Sequence, residues 1–250
     1  MNLNQGLPAI LIALTATIAI AHPPAVYAKS AKLIPLQIDS SAQLDLSVSV
    51  ASEFSAAEMT VEDIFNLGWD KFRKGDYQGA IEAFDRAIGL NPNYADAYSR
   101  RGIARAALKD NQGAIADYNQ ALKLDPKNFI AYIGRGNIRS ASGDKQGALA
   151  DFNQALKIDP NDAKLYVNRG VIRYQLEDKQ GALADFNQAL KIDPNDVLAY
   201  QNRGVIHSEL GDKQSAIKDF QKAADLYQQK GDKDNYQQLL NRIRTIQGTE

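Results

Sequence analysis

Acid–base and nucleophilic chemistry needs particular side chains within reach of one another, and this chain offers few. Its 250 residues contain two histidines, His22 and His207, and no cysteine. No thiol nucleophile, disulfide or thiolate zinc site can form. There is no glycine-rich phosphate loop and no His-x-x-x-His pair. His207 continues a series that reads Lys71, Arg105, Arg139 and Arg173 at equal spacing, so it holds a scaffold place and not a catalytic one. No catalytic residue, no metal ligand and no cofactor is assigned.

The polar residues that recur are arginines and aspartates. Arg101, Arg135, Arg169 and Arg203 stand 34 residues apart, as do Asp117, Asp151, Asp185 and Asp219. The arginines are either a basic ladder for an anionic ligand or partners of the aspartates across packed helices. Where the arginine series gives way to Leu67, the aspartate series gives way to Ala83. The paired change favours contact, because a partly buried arginine requires a carboxylate. The whole chain carries 29 basic and 30 acidic residues. That balance gives no field to attract nucleic acid or an anionic membrane.

The elements that position these residues follow from the same interval. Pro92, Pro126, Pro160 and Pro194 are 34 apart, with Gln228 in the fifth place. Gly68, Gly102, Gly136, Gly170 and Gly204 keep the period, as do Phe84, Tyr118, Phe152, Phe186 and Phe220. A strict period in the range of about 20–50 residues means a repeat array. Each unit holds two helical patterns. Gly75, Gly143 and Gly211 end the first, since glycine enters the left-handed cap conformation freely. Lys109 and Glu177 take that place in two units, where they are strained. Asp76, Asp110, Asp144, Asp178 and Asp212 then cap the second helix, which stops before proline.

At these residues the chain resembles the tetratricopeptide repeat family. Numbering each unit 1–34 from Val61, all five units have small residues at 8 and 20, an aromatic at 24 and alanine at 27. Four units read Tyr-x-x-Arg-Gly at positions 4–8, through Tyr98, Tyr132, Tyr166 and Tyr200; the first has Ile64 instead. The resemblance implies an all-α, right-handed α-α solenoid of five units (61–94, 95–128, 129–162, 163–196 and 197–230). A C-terminal capping helix and tail (231–250) follows, with Asp232 as cap and Tyr236, Leu239, Leu240 and Ile243 on one stripe.

The resemblance also implies where a ligand would sit. In the family, positions 2, 5, 9, 12 and 13 of the first helix line the concave groove. Carried onto this chain, they give Phe65, Trp69 and Phe72 in unit one, Ile103 in unit two, and Ile133 and Asn137 in unit three. Val167, Val171 and Tyr174 follow in unit four, and Gln201 and Val205 in unit five. The groove lacks the lysine at position 5 and the paired basic residues that hold a terminal carboxylate in some members. An extended or helical apolar peptide fits better. For Phe65, Trp69 and Phe72 a second reading stands beside this one: they are covered by residues 29–60 or by a second copy of the chain.

Residues Leu7–Ala21 are almost wholly apolar, and Val26-Tyr27-Ala28 gives a small-x-small cleavage pattern. Residues 1–28 read as a secretory signal peptide, the alternative being an uncleaved anchor. Residues 29–60 form a Ser- and Ala-rich linker in which Leu44, Leu46, Val48 and Val50 alternate with polar residues. This linker is a spacer, an extended segment against the array, or a strand added to a partner. Thr60 and Asp63 are spaced as a capping box.

The expected protein is an exported, non-enzymatic scaffold in the periplasm or outside the cell, or in the thylakoid lumen of a photosynthetic host. Its partner is a protein or peptide, with self-association open and membrane contact only through an uncleaved N-terminus or a partner. The alternative is a permanent structural or assembly subunit of one membrane-bound or envelope complex.

Overall fold

The computed structural model describes residues 59–248. The expected signal peptide and all but the end of the linker lie outside the described residues. Eleven α-helices and no strands occur among those described. Five pairs match the five units: α1 (Val61–Arg73) with α2 (Tyr77–Leu90), α3 (Ala95–Ala107) with α4 (Asn111–Leu124), α5 (Phe129–Ala141) with α6 (Lys145–Ile158), α7 (Ala163–Gln175) with α8 (Lys179–Ile192), and α9 (Val197–Glu209) with α10 (Lys213–Gln229). α11 (Lys233–Gln247) closes the array. The helices α6 and α8 have the same sequence, KQGALADFNQALKI.

Local chemistry sets each boundary. Thr60 and Asp63 form the capping box that opens α1. Asp76, Asp110, Asp144, Asp178 and Asp212 each accept the N–H three residues on, which satisfies an orphan donor of the second helix. Gly75, Gly143 and Gly211 have φ of +83°, +86° and +81°, and Lys109 and Glu177 are forced to 64° and 63° in the same turn. Four second helices end two residues before their proline. With Gln228 in the proline's place, α10 runs on to 17 residues where the other second helices have 14.

Each helix packs on the next, and first helices also touch first helices: α1 meets α3, α3 meets α5, and α7 meets α9. Second helices do not pair so closely, so the first helices form the inner, shorter wall of the solenoid. Between the layers lie the fully buried rings of Phe84, Tyr118, Phe152, Phe186 and Phe220, each against the glycine of its own first helix. A Cβ on Gly136 would stand 2.8 Å from Phe152 Cε1, which is why position 8 stays small.

Arginine at position 7 joins the units. Arg135 donates Nε and one terminal nitrogen to Asp151 of its own second helix, at 3.0 and 2.6 Å. Its other terminal nitrogen reaches back to Asn119 of the preceding unit, at 2.5 Å. Arg101 repeats this with Asp117 and Asp85, Arg169 with Asp185 and Asn153, and Arg203 with Asp219 and Asn187. Each guanidinium also lies 5.3–5.9 Å from the ring centre of the tyrosine three residues before it. A second arginine (Arg105, Arg139 or Arg173) bonds the same aspartate at 2.9–3.0 Å. Burial opposes the charge on Arg101, but Asp117 and Asp85 outweigh it and hold the guanidinium above its ordinary pKa. The arginines are therefore engaged in packing and do not form a free ladder. Unit one is the first unit among the described residues, and Leu67 and Ala83 stand there.

The capping stripe forms as its spacing predicts. Asp232 accepts from Asn235 N–H, Leu239 and Ile243 are buried, and Tyr236 and Leu240 pack beside them.

Candidate binding wall of the first helices

The eleven expected groove residues all fall on the first helices, but they do not share one environment. Four are buried: Trp69 (8% exposed), Ile103 (2%), Val167 (5%) and Val171 (9%). These four pack into the core, whereas they were expected to line the groove. Their neighbours show the reason. Ile103 joins Tyr118, Ala131 and Ile138 in one cluster, and Val167 and Val171 join Phe186, Ala199 and Ile206 in another. Where neighbouring first helices meet, α1 with α3, α3 with α5 and α7 with α9, they enclose these side chains.

Trp69 is held from several sides. Its ring stacks on Phe72 with centroids 5.1 Å apart and planes 3° from parallel. Ala80, Phe84 and Ala104 complete its cluster. The Arg100 guanidinium of α3 covers it, 4.2 Å from the ring centre. Phe65 tilts against Phe84 and Tyr94, at 5.7 and 5.0 Å, and Phe72 also meets Tyr77 at 5.2 Å. The aromatic group is thus internally packed, with Phe65 and Phe72 half-buried.

The remaining expected residues are half-buried. Ile133 packs at the edge of the Phe152 cluster and Val205 at the edge of the Phe220 cluster. Gln201 accepts a hydrogen bond from the Tyr227 hydroxyl at 2.9 Å. Asn137, at the middle of the array, has its Oδ1 buried without a hydrogen-bond donor. Such an atom costs about 1–3 kcal/mol until something satisfies it.

Toward the C-terminal end the wall carries a charge cluster. The Tyr174 hydroxyl donates to Glu209, and Lys179 Nζ stands 3.0 Å from the same carboxylate. Burial and Glu209 push the Tyr174 phenol up to about 12. Burial works against the Glu209 charge, but Tyr174 and Lys179 outweigh it and hold that carboxyl below its ordinary value. Arg242 of α11 lies 5.0 Å from the Phe220 ring centre, and burial holds it below the usual arginine range.

His207 sits between Asp212 and Asp219, at 3.7 and 3.9 Å, in the place that arginine fills in units two to four. No group of three or more potential metal ligands occurs among the described residues, and no described helix is long and apolar enough to cross a membrane. A cleft of about 370 Å³ is lined by Pro126, Lys127, Tyr132, Gln154, Lys157 and Ile158.

Arg100 is the wall residue that the groove positions did not include. It is half-buried, and burial holds its guanidinium below the ordinary arginine pKa. The sequence held one signal. At position 6 the five units read Asn66, Arg100, Gly134, Asn168 and Asn202, so Arg100 is the single charge in that series.

Three family models, each described as tetratricopeptide repeat, match residues 65–129, 136–196 and 186–218. Among solved structures the fold is similar to a crystal structure of MamA, with a TM-score of 0.61 and 24% identity over 66% of this chain and 96% of that one. It is similar to MamA from Desulfovibrio magneticus RS-1, with a TM-score of 0.63 and 22% identity over 68% and 96%. It is also similar to YrrB, a TPR protein with an unusual peptide-binding site, with a TM-score of 0.60 and 18% identity over 74% and 93%. No curated protein sequence matches the chain.

Proposed function

The chain belongs to the tetratricopeptide repeat family, a family of protein-interaction scaffolds, and from that premise we propose that it is an exported adaptor that holds a partner's peptide segment on the wall of first helices. The observation that carries this reading is the wall itself. Half-buried apolar and polar side chains alternate along it, from Phe65 and Phe72 through Ile133 and Asn137 to Tyr174, Gln201 and Val205. Such a surface offers apolar contact with a few fixed polar points, which is how an apolar peptide is held in register. The half-buried Asn137, whose Oδ1 has no donor, is one polar point of that surface. YrrB supplies a precedent for peptide binding on this fold, by likeness of fold alone. Export rests on the apolar run Leu7–Ala21 followed by Val26-Tyr27-Ala28. The adaptor carries out no reaction of its own.

Site-specific photo-crosslinking in the native host tests this. A photoreactive residue at Ile133 or Val205 should give one discrete adduct with a partner. The same residue at Leu90, an exposed side chain near the end of a second helix, should give none. Equal labelling from Leu90, or no adduct from the wall, overturns the proposal. Fractionation of the native host, with N-terminal sequencing of the mature protein, tests export.

A further inference from the structure

We infer that Arg100 is a specificity residue of the wall, which receives the side-chain carboxylate of an aspartate or glutamate in the bound segment. The inference rests on the peptide-binding reading above and adds to it the chemistry that the partner must bring.

Three observations carry it. First, Arg100 has no ion-pair or hydrogen-bond partner among the described residues. Arg101, Arg105, Arg135, Arg139, Arg169, Arg173 and Arg203 each have a carboxylate within 3.0 Å, whereas no carboxylate of the described residues lies within ion-pair distance of Arg100, and its guanidinium makes no hydrogen bond. Second, it is partly desolvated while still reaching solvent. A half-buried charge without a counter-ion is unfavourable alone and attracts one strongly. The Asp96 carboxylate acts on it at longer range only, and that side chain is occupied by Asn128 Nδ2 at 3.2 Å. Third, it is held in place. The guanidinium lies 4.2 Å from the Trp69 ring centre, so its fork is fixed by stacking and its edge is free to donate. A planar, pre-positioned fork suits one carboxylate held through two parallel hydrogen bonds. Phe72, stacked on the same indole, supplies the apolar contact beside it. A single fork matches one side-chain carboxylate within an apolar segment.

The test is a selection of random peptides, amidated at the C-terminus, against the full mature chain and against Arg100→Gln and Arg100→Glu. Peptides from the wild-type selection should carry Asp or Glu at one fixed position among apolar residues. Arg100→Gln should lose that acidic preference and keep the apolar pattern, and Arg100→Glu should replace it with Lys or Arg. For the best acidic peptide, Arg100→Gln should weaken Kd about tenfold or more, but its Gln-substituted twin by less than about twofold. Thermal melts establish that both variants fold. An apolar consensus without an acidic position overturns the inference and leaves the peptide-binding reading intact, as does an acidic preference unchanged in Arg100→Gln. A selection that enriches no peptide overturns both.

Discussion

The phenol of Tyr118 occupies the space that a side chain at position 134 would need. A Cβ built on Gly134 would stand 2.3 Å from Tyr118 Cζ and 2.5 Å from its hydroxyl oxygen. A Cβ on Gly102 would lie 2.8 Å from Tyr118 Cε1. One ring thus meets glycines of two adjacent units. Tyr118 is the only tyrosine at position 24, and Gly134 is the only glycine at position 6.

Gly134→Asn should therefore destabilise the array by about 1–3 kcal/mol, by overpacking. That is the wrong sign for helix propensity, which penalises mid-helix glycine by about 1 kcal/mol. The double variant Tyr118→Phe with Gly134→Asn recreates the pairing of Phe152 with Asn168 and should recover most of the loss. Urea melts of the four proteins give the coupling, and strict additivity would show that the two positions do not compete for space.

The arginine joints give a second cycle. Arg135→Leu removes two bonds to the 2%-exposed Asp151 and one to Asn119, and should cost about 1–3 kcal/mol. Adding Asp151→Ala should recover part of this but not all, because Arg139 also uses that carboxylate. Full recovery in denaturant melts would mean that Arg139 contributes nothing to the joint.

Trp69 reports its own burial. Its stacking on Phe72 and beneath Arg100 should give blue-shifted emission, weakly quenched by acrylamide, without any partner. Trp69→Ala should lower stability by about 3–5 kcal/mol. Emission typical of a solvated indole would contradict the packing described.

Two turns hold removable strain. Lys109 and Glu177 adopt the left-handed conformation that glycine adopts at 75, 143 and 211. Lys109→Gly and Glu177→Gly should each stabilise by about 0.5–1 kcal/mol, the steric relief exceeding the extra chain entropy of glycine. Calorimetric melts should show a higher Tm for each, and a lower one would place the strain elsewhere.

Acid should loosen the caps. Gly79 N–H holds the Asp76 carboxyl below its ordinary value, Ser215 does so for Asp212, and Asn235 for Asp232. A depressed folded pKa stabilises above the unfolded value of about 3.9, and that stability is lost as pH falls through the folded pKa. Tm should fall below about pH 4. Asp212→Asn, which keeps a capping acceptor but cannot titrate there, should show a shallower fall, and an unchanged acid slope would remove Asp212 from the cause.

The array was legible in the sequence because its period forces the same local solution five times. The aspartate caps, the prolines that stop four helices and the extra turn of α10 at Gln228 all follow from residues at fixed offsets. The Arg–Asp pairs were legible because Leu67 and Ala83 changed together. The wall was read less well. Spacing places Trp69, Ile103, Val167 and Val171 on the right helices, but how far a neighbouring helix swallows a side chain depends on the approach of the two helices, which no offset records. Arg100 was missed for a related reason. Its lack of a partner is a fact about distances, and at position 6 only its charge set it apart.

The arginine joints point backwards along the chain, each interior unit bringing the group that fastens it to the unit before. A module that carries its own connector can be copied in place, and the matching sequences of α6 and α8 have the form such copying leaves. Wall length can grow or shrink by 34 residues at any interior joint, while unit one, which carries no connector, remains the fixed first piece.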